Sequence, residues 1–299
     1  MSRPPKAAEI ILAVTGRCLP RPGVTRWNSL YDSNKALVEI EASYPLLSQR
    51  LGLNAFLNTD DILYLKEYLQ CTKPIAEALM KLQGETTASF GTLLPTLLML
   101  KKYLIHLTQS DIRFCLPIIR TYIESIERRF CDELDCSSAL GERAAIATLS
   151  LPLFKNEWFP CISLEQQEHL LEVFDKLISR HLAPTQSGIV QPMEVDGFYD
   201  FSGGFSLAST SSINPPTSGR SMMSQYFNDK QKTPAMLKNF PPIERIFREY
   251  NTAPPSSGQV ERLFSYATLM NAPRSNRLSD EKFEQRVILV NSTSLETYL

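Results

Sequence analysis

The side chains able to do chemistry are spread thinly along the 299 residues. Three histidines, His106, His169 and His181, and six cysteines, Cys18, Cys71, Cys115, Cys131, Cys136 and Cys161, are the candidates for soft metal ligation and nucleophilic attack. No two cysteines form a Cys-x-x-Cys pair, and the close pair Cys131 and Cys136 has no histidine at ligand spacing, so no metal ligand is assigned and no zinc site is expected. A disulfide framework is not expected in a chain of this size without an export signal, and the thiols read as reduced and structural. The acid that context singles out is Glu261. Pro254 and Pro255 end what precedes it, Ser256 and Ser257 can accept hydrogen bonds from free backbone N–H groups, and an apolar-periodic run follows. A helix therefore begins near Gly258, with Glu261 in its first turn, where the positive end of the helix dipole favours a carboxylate. On the residues alone, Glu261 caps a helix.

The elements that would position these groups are helical. Trp27, Leu30, Tyr31, Leu37, Val38 and Ile40 recur at roughly helical spacing, which makes Trp27 a core anchor. A second segment runs from Asp60 to the stop at Gly84, with a kink or a junction of two helices expected at Pro74. Leu93 to Leu107 is leucine-dense, as a central helix would be. Ile112, Leu116, Ile119, Ile123, Ile126 and Phe130 predict a fourth helix capped by Ser110, with Arg113, Arg120, Glu124, Glu127 and Arg128 on a solvated face. Ser163 and Gln166 form a capping box for a helix to Leu182, whose buried face is Leu170, Leu171, Phe174, Leu177 and Ile178. The fold class expected is mainly α.

Composition divides the chain further. Residues 1–24 read as an N-terminal tail and 25–184 as a helical domain. Residues 185–235, rich in Ser, Gly, Pro and Thr, read as a flexible linker, with Phe198, Tyr199, Phe201 and Phe205 its one aromatic patch. Residues 236–299 form a small helical unit with apolar faces at Leu263, Phe264, Leu269, Phe283, Val287, Ile288 and Leu289. So small a unit buries such faces poorly alone, and packing on the helical body or on a second copy is expected. Lys and Arg number 31 against 32 Asp and Glu, a net charge of -1, so no bulk electrostatic pull towards nucleic acid exists. The apolar run Ile10–Val14 is too short for a signal peptide, and no stretch approaches the ~20 apolar residues of a membrane span. An intracellular protein without a membrane partner is expected.

The stretch Pro254-Pro255-Ser256-Ser257, then Glu261-Arg262-Leu263-Phe264-Ser265, then Arg274 and Arg277-Leu278 ahead of an apolar helix through Phe283, Val287 and Ile288, resembles the C-terminal dimerisation region of hAT-superfamily transposases. Thr25-Arg26-Trp27-Asn28-Ser29 is similar to the motif that opens the helical insertion domain of that superfamily. Thr72 to Leu79, Leu82 to Glu85 and Leu94-Pro95 resemble the middle of that domain. Ser150-Leu151-Pro152-Leu153-Phe154-Lys155 stands where relatives often carry Leu-Asp-Pro-Arg-Phe-Lys, so the acid and the arginine of that loop are both replaced by leucine.

The resemblance implies a helical insertion-type domain plus a C-terminal dimerisation unit, with the family's ribonuclease-H-like sheet largely missing and no BED-type zinc finger. Active relatives hold magnesium ions on two aspartates from that sheet and one later glutamate, because a two-metal strand transfer needs several carboxylates. Glu261 matches the glutamate. The residues before Thr25 hold no aspartate, with Glu9 the sole carboxylate, so Glu261 is expected to be vestigial, the chain no enzyme and no cofactor bound. Arg26 and Trp27 match positions that touch transposon DNA. The leading expectation is a nuclear, transposase-derived protein that self-associates as a homodimer or higher oligomer and retains some DNA binding. Two alternatives stay open: a fragment of an active transposase whose Asp-bearing sheet lies outside this chain, and a helical scaffold with no nucleic-acid role.

Overall fold

The computed structural model describes residues 6–23, 27–84, 88–182, 218–270 and 279–295. The chain is mainly helical, with no strand among the described residues. The helices are α1 (Lys6–Thr15), α2 (Trp27–Glu39), α3 (Tyr44–Leu51), α4 (Thr59–Leu82), α5 (Leu93–Thr108), α6 (Leu116–Arg129), α7 (Cys131–Leu134), α8 (Ala139–Ser150), α9 (Leu164–Leu182), α10 (Gly219–Asn228), α11 (Pro241–Asn251), α12 (Gly258–Met270) and α13 (Asp280–Leu295). None among the described residues is long and apolar enough to cross a membrane.

Packing groups the chain into two units, Met1–Thr148 with Tyr250–Leu299, and Leu149–Glu249. In the first unit, residues read as a tail form α1, whose Ile10, Ile11 and Val14 pack on Ile40, Tyr44 and Leu47. A larger core gathers Cys71 and Ala78 of α4, Leu100 and Leu104 of α5, and Cys115 and Ile119 at α6. α4 starts at a capping box the periodicity does not reveal: Asn58 Oδ1 accepts from Asp61 N at 2.8 Å, and Asp61 Oδ2 accepts from Asn58 N at 3.2 Å. α4 then runs unbroken through Pro74, which loses one intrahelical donor but does not end the helix.

α6 corrects the expected cap at Ser110. That hydroxyl donates instead to His106 O at 3.3 Å, and the helix begins six residues later. Its N-terminal approach is held by Glu67 of α4, whose carboxylate accepts from the backbone N–H groups of Arg113, Phe114 and Cys115 at 2.9, 2.6 and 2.6 Å. Burial pushes the Glu67 carboxyl up, but these donors outweigh it and hold it below the usual glutamate range. The solvated face expected on α6 is present: Arg113, Arg120, Glu124 and Arg128 are exposed, and Glu127 pairs with Lys101 at 2.7 Å.

In the second unit, α9 has the expected Ser163–Gln166 box and buries Leu170, Phe174 and Ile178, with Leu171 and Leu177 half-buried. The description resumes at Ser218, inside the segment read as linker. α10 buries Met222 and Tyr226, and a 3-10 turn over Pro234–Asn239 buries Met236 and Leu237. Phe227 stacks on Phe174 with ring centroids 6.1 Å apart, Tyr226 meets Phe240 edge-on at 5.5 Å, and Tyr226 Oη donates to Ser150 O at 2.9 Å. The aromatic patch at Phe198, Tyr199, Phe201 and Phe205 lies outside the described residues.

Candidate association surface

The C-terminal segment is fastened to its own unit before it reaches the motif at Pro254. Asn251 uses both ends of its amide: Oδ1 accepts from Gly91 N at 2.8 Å, and Nδ2 donates to Ala147 O at 3.1 Å. Gly91 must be glycine, because a Cβ there would sit 2.6 Å from both Ala147 O and Asn251 Oδ1. Thr148 Oγ1 completes the joint by donating to Gly91 O at 3.0 Å and Ala144 O at 2.8 Å. Four residues beyond Thr252, Ser256 Oγ donates to Leu82 O at 2.9 Å and accepts from Gly258 N at 3.4 Å. α12 is thereby anchored at the end of α4.

The Pro-Pro-Ser-Ser run starts the helix as its residues dictate. Ser257 Oγ donates to Glu261 Oε1 at 2.7 Å, and Glu261 N donates to Ser257 O at 2.9 Å. Glu261 is exposed in the first turn of α12, where its carboxylate supports the helix start. The carboxylate is engaged by Ser257, and among the described residues no group of three or more His, Cys, Asp or Glu side chains could hold a metal ion.

Beyond Glu261 the surface turns apolar. α12 and α13 pack on one another and leave a groove of about 590 Å³ lined by Leu263, Phe264, Ala267, Thr268, Phe283, Glu284 and Ile288. Leu263 and Phe283 are half-buried, whereas Phe264 is 65% and Ile288 55% exposed. Val260 and Leu289, exposed as well, extend the apolar area along the two helices. Large side chains left this open on a pair of short helices form a patch that marks an interaction surface more often than a solvated face.

Four of the seven apolar residues expected to pack on the body or a second copy, Leu263, Phe264, Phe283 and Ile288, are thus brought together around one groove, with Leu289 exposed next to Ile288. The side chains of Leu269 and Val287 lie outside the description, as do Arg26, the tail from Arg274 to Leu278 and the Trp27 side chain, although Trp27 is the first residue of α2. Ala267, Thr268 and Glu284 are lining residues the sequence reading missed. Ala267 and Thr268 stand three and four positions after Phe264, a spacing that places them on its face, and Glu284 stands four before Ile288. No family model matches the sequence, and no curated protein is significantly similar to it.

Proposed function

We propose that the chain is a hAT-transposase-derived protein that no longer cuts DNA and works by pairing with a second copy through the α12–α13 hairpin. The observation that carries this reading is the groove with the exposed Phe264 and Ile288 in its wall, built on the Pro254–Ser265 stretch that resembles the dimerisation region. The engagement of Glu261 by Ser257 supports the non-catalytic part, since it gives this carboxylate a structural place at the start of its helix. Nuclear residence and DNA contact by Arg26 and Trp27 belong to the same reading and rest on the resemblance.

Sedimentation equilibrium of the full chain tests it. The wild type is expected to self-associate at micromolar concentration, and Phe264→Ser to weaken that association by roughly 30-fold, the scale of one well-packed aromatic anchor. A wild type that stays monomeric overturns the pairing. Magnesium-dependent nicking of DNA by the purified chain, abolished in Glu261→Gln, overturns the claim that it no longer cuts.

A further inference from the structure

Thr233 and Pro234 are the only Ser/Thr-Pro pair in the sequence. They stand in the second unit, between α10 and the 3-10 turn over Pro234–Asn239. Every residue from Lys230 to Ala235 is exposed, and none of them before Pro234 is helical. The backbone of Thr233 is extended, at φ −94° and ψ 147°, the conformation that the ring of a following proline favours. The Thr233 hydroxyl makes no capping hydrogen bond to the turn it precedes. The loop is nevertheless held in place: Tyr226 is buried before it, Met236 and Leu237 are buried after it, and Lys232 Nζ pairs with Glu157 Oε1 at 2.6 Å.

A protein kinase must reach the acceptor hydroxyl and lay the backbone around it in an extended groove, which a helical or buried serine or threonine cannot offer without unfolding. At Thr233 the chain is exposed from three residues before the acceptor to two after it, and the hydroxyl has no capping bond to give up. We propose that Thr233 is a phosphorylation site, read through Pro234 by a proline-directed serine/threonine protein kinase with ATP as the donor. Thr233 Oγ1 bonds to the γ-phosphorus as the bond from that phosphorus to the β,γ-bridging oxygen breaks. ADP leaves, and the hydroxyl proton passes to the carboxylate base of the kinase. Lys230 and Lys232, three and one residues before the acceptor, are exposed. They place positive charge beside the new group, whose charge is about −2. The phosphate then competes with Glu157 for Lys232, and so acts on the ion pair that fastens this loop to the Lys155–Glu157 turn.

The experiment treats the native full chain with a cyclin-dependent protein kinase of the proline-directed class and radiolabelled ATP, and locates the label by mass spectrometry. Wild type, Thr233→Ala, Thr233→Ser and Pro234→Ala are compared, with far-UV circular dichroism to check that helix content is kept. A single phosphate on Thr233 is expected in the wild type, none in Thr233→Ala, and its return in Thr233→Ser. Pro234→Ala should slow the reaction by roughly tenfold or more, because the residue after the acceptor carries the recognition. A wild type that takes no label overturns the proposal, and does so on structural grounds if a peptide of residues 228–238 is phosphorylated under the same conditions. Label that persists in Thr233→Ala puts the acceptor elsewhere and overturns it as well. Label on Thr233 that is undiminished in Pro234→Ala means that the lysines are read instead, and removes the proline-directed assignment. These readouts do not depend on whether α12 and α13 pair with a second copy.

Discussion

The carboxylate of Glu67, on α4, accepts the backbone N–H of Cys115 at 2.6 Å, and those of Arg113 and Phe114 beside it, so one side chain caps a helix that begins nearly fifty residues further along the chain. Capping from a neighbouring helix ties the start of α6 to the middle of α4. It also puts a charge under the core that holds Cys71, Cys115 and Ile119.

Glu67→Ala should therefore destabilise the protein by roughly 1.5–3 kcal/mol, the scale of losing hydrogen bonds to a charged group and leaving donors unpaired. The pH dependence follows from the lowered carboxyl pKa. A carboxyl whose folded pKa lies below its unfolded value binds more protons when unfolded. Its contribution is thus present above the ordinary glutamate pKa of about 4.3, and is lost as pH falls through the folded value. Urea unfolding between neutral pH and pH ~3.5 should show a shallower acid loss in Glu67→Gln than in the wild type. Equal slopes would remove Glu67 from the account.

Asn251 joins the C-terminal segment to Gly91 and Ala147 through a single amide, and neither bond survives replacement by alanine. The cost expected for Asn251→Ala is roughly 2–3 kcal/mol, since a buried donor and a carbonyl are both deprived of a partner. Asn251→Asp should be no better, because a carboxylate cannot donate to Ala147 O. Gly91→Ala attacks the same joint from the other side, with its Cβ 2.6 Å from two oxygens. Hydrogen exchange at the Gly91 amide is the direct measure, and protection unchanged in Asn251→Ala would refute the assignment.

The cysteines divide evenly. Cys18, Cys131 and Cys161 are exposed, whereas Cys71, Cys115 and Cys136 are fully buried. Burial pushes the Cys71 thiol up to about 12 and Cys136 up to about 11, and it raises Cys115 as well, which suppresses the thiolate that would react. A disulfide-exchange reagent at pH ~8 should modify three thiols in the native protein and the remaining three only after denaturant is added. Rapid modification of a fourth thiol in the native state would contradict the packing around α4, α6 or Cys136.

Much of this was legible from local pattern, and the exceptions share a cause. The α9 helix is written in its own residues, with Ser163 and Gln166 at the start and Leu170, Phe174 and Ile178 at the spacing of one face. The start of α6 is not, because Ser110 looks like a cap while the group that caps, Glu67, belongs to another helix. α10 was hidden by a polar composition in which Met222 and Tyr226, four apart, are the large side chains that are buried. At the groove, Leu263, Phe264, Phe283 and Ile288 could be read as apolar positions on helices. Glu284 could not, since a charged residue on a short helix reads as solvated surface until the opposing helix is placed beside it.

Lys155 provides the last test, and its sign is the reverse of that for Glu67. The residue is only 4% exposed, adopts a φ of 49°, and donates from Nζ to Asp229 O with the ammonium 5.2 Å from the centre of the Tyr226 ring. Burial holds its amine below the ordinary lysine value, a shift opposed by Asp229 and Glu157 and aided by Lys232. A lysine with a lowered folded pKa binds more protons in the unfolded chain than in the folded one, so stability must rise with pH between the folded value and about 10.4, where the unfolded lysine titrates. Denaturant unfolding followed from pH ~7.5 to ~10 should show that rise in the wild type and a flatter profile in Lys155→Met, which keeps the packing stem and removes the titrating group. A parallel rise in both proteins would assign the effect to another group. A fall in the wild type with a flat Lys155→Met would mean that the ammonium is held by Asp229 and Glu157 more strongly than burial opposes it.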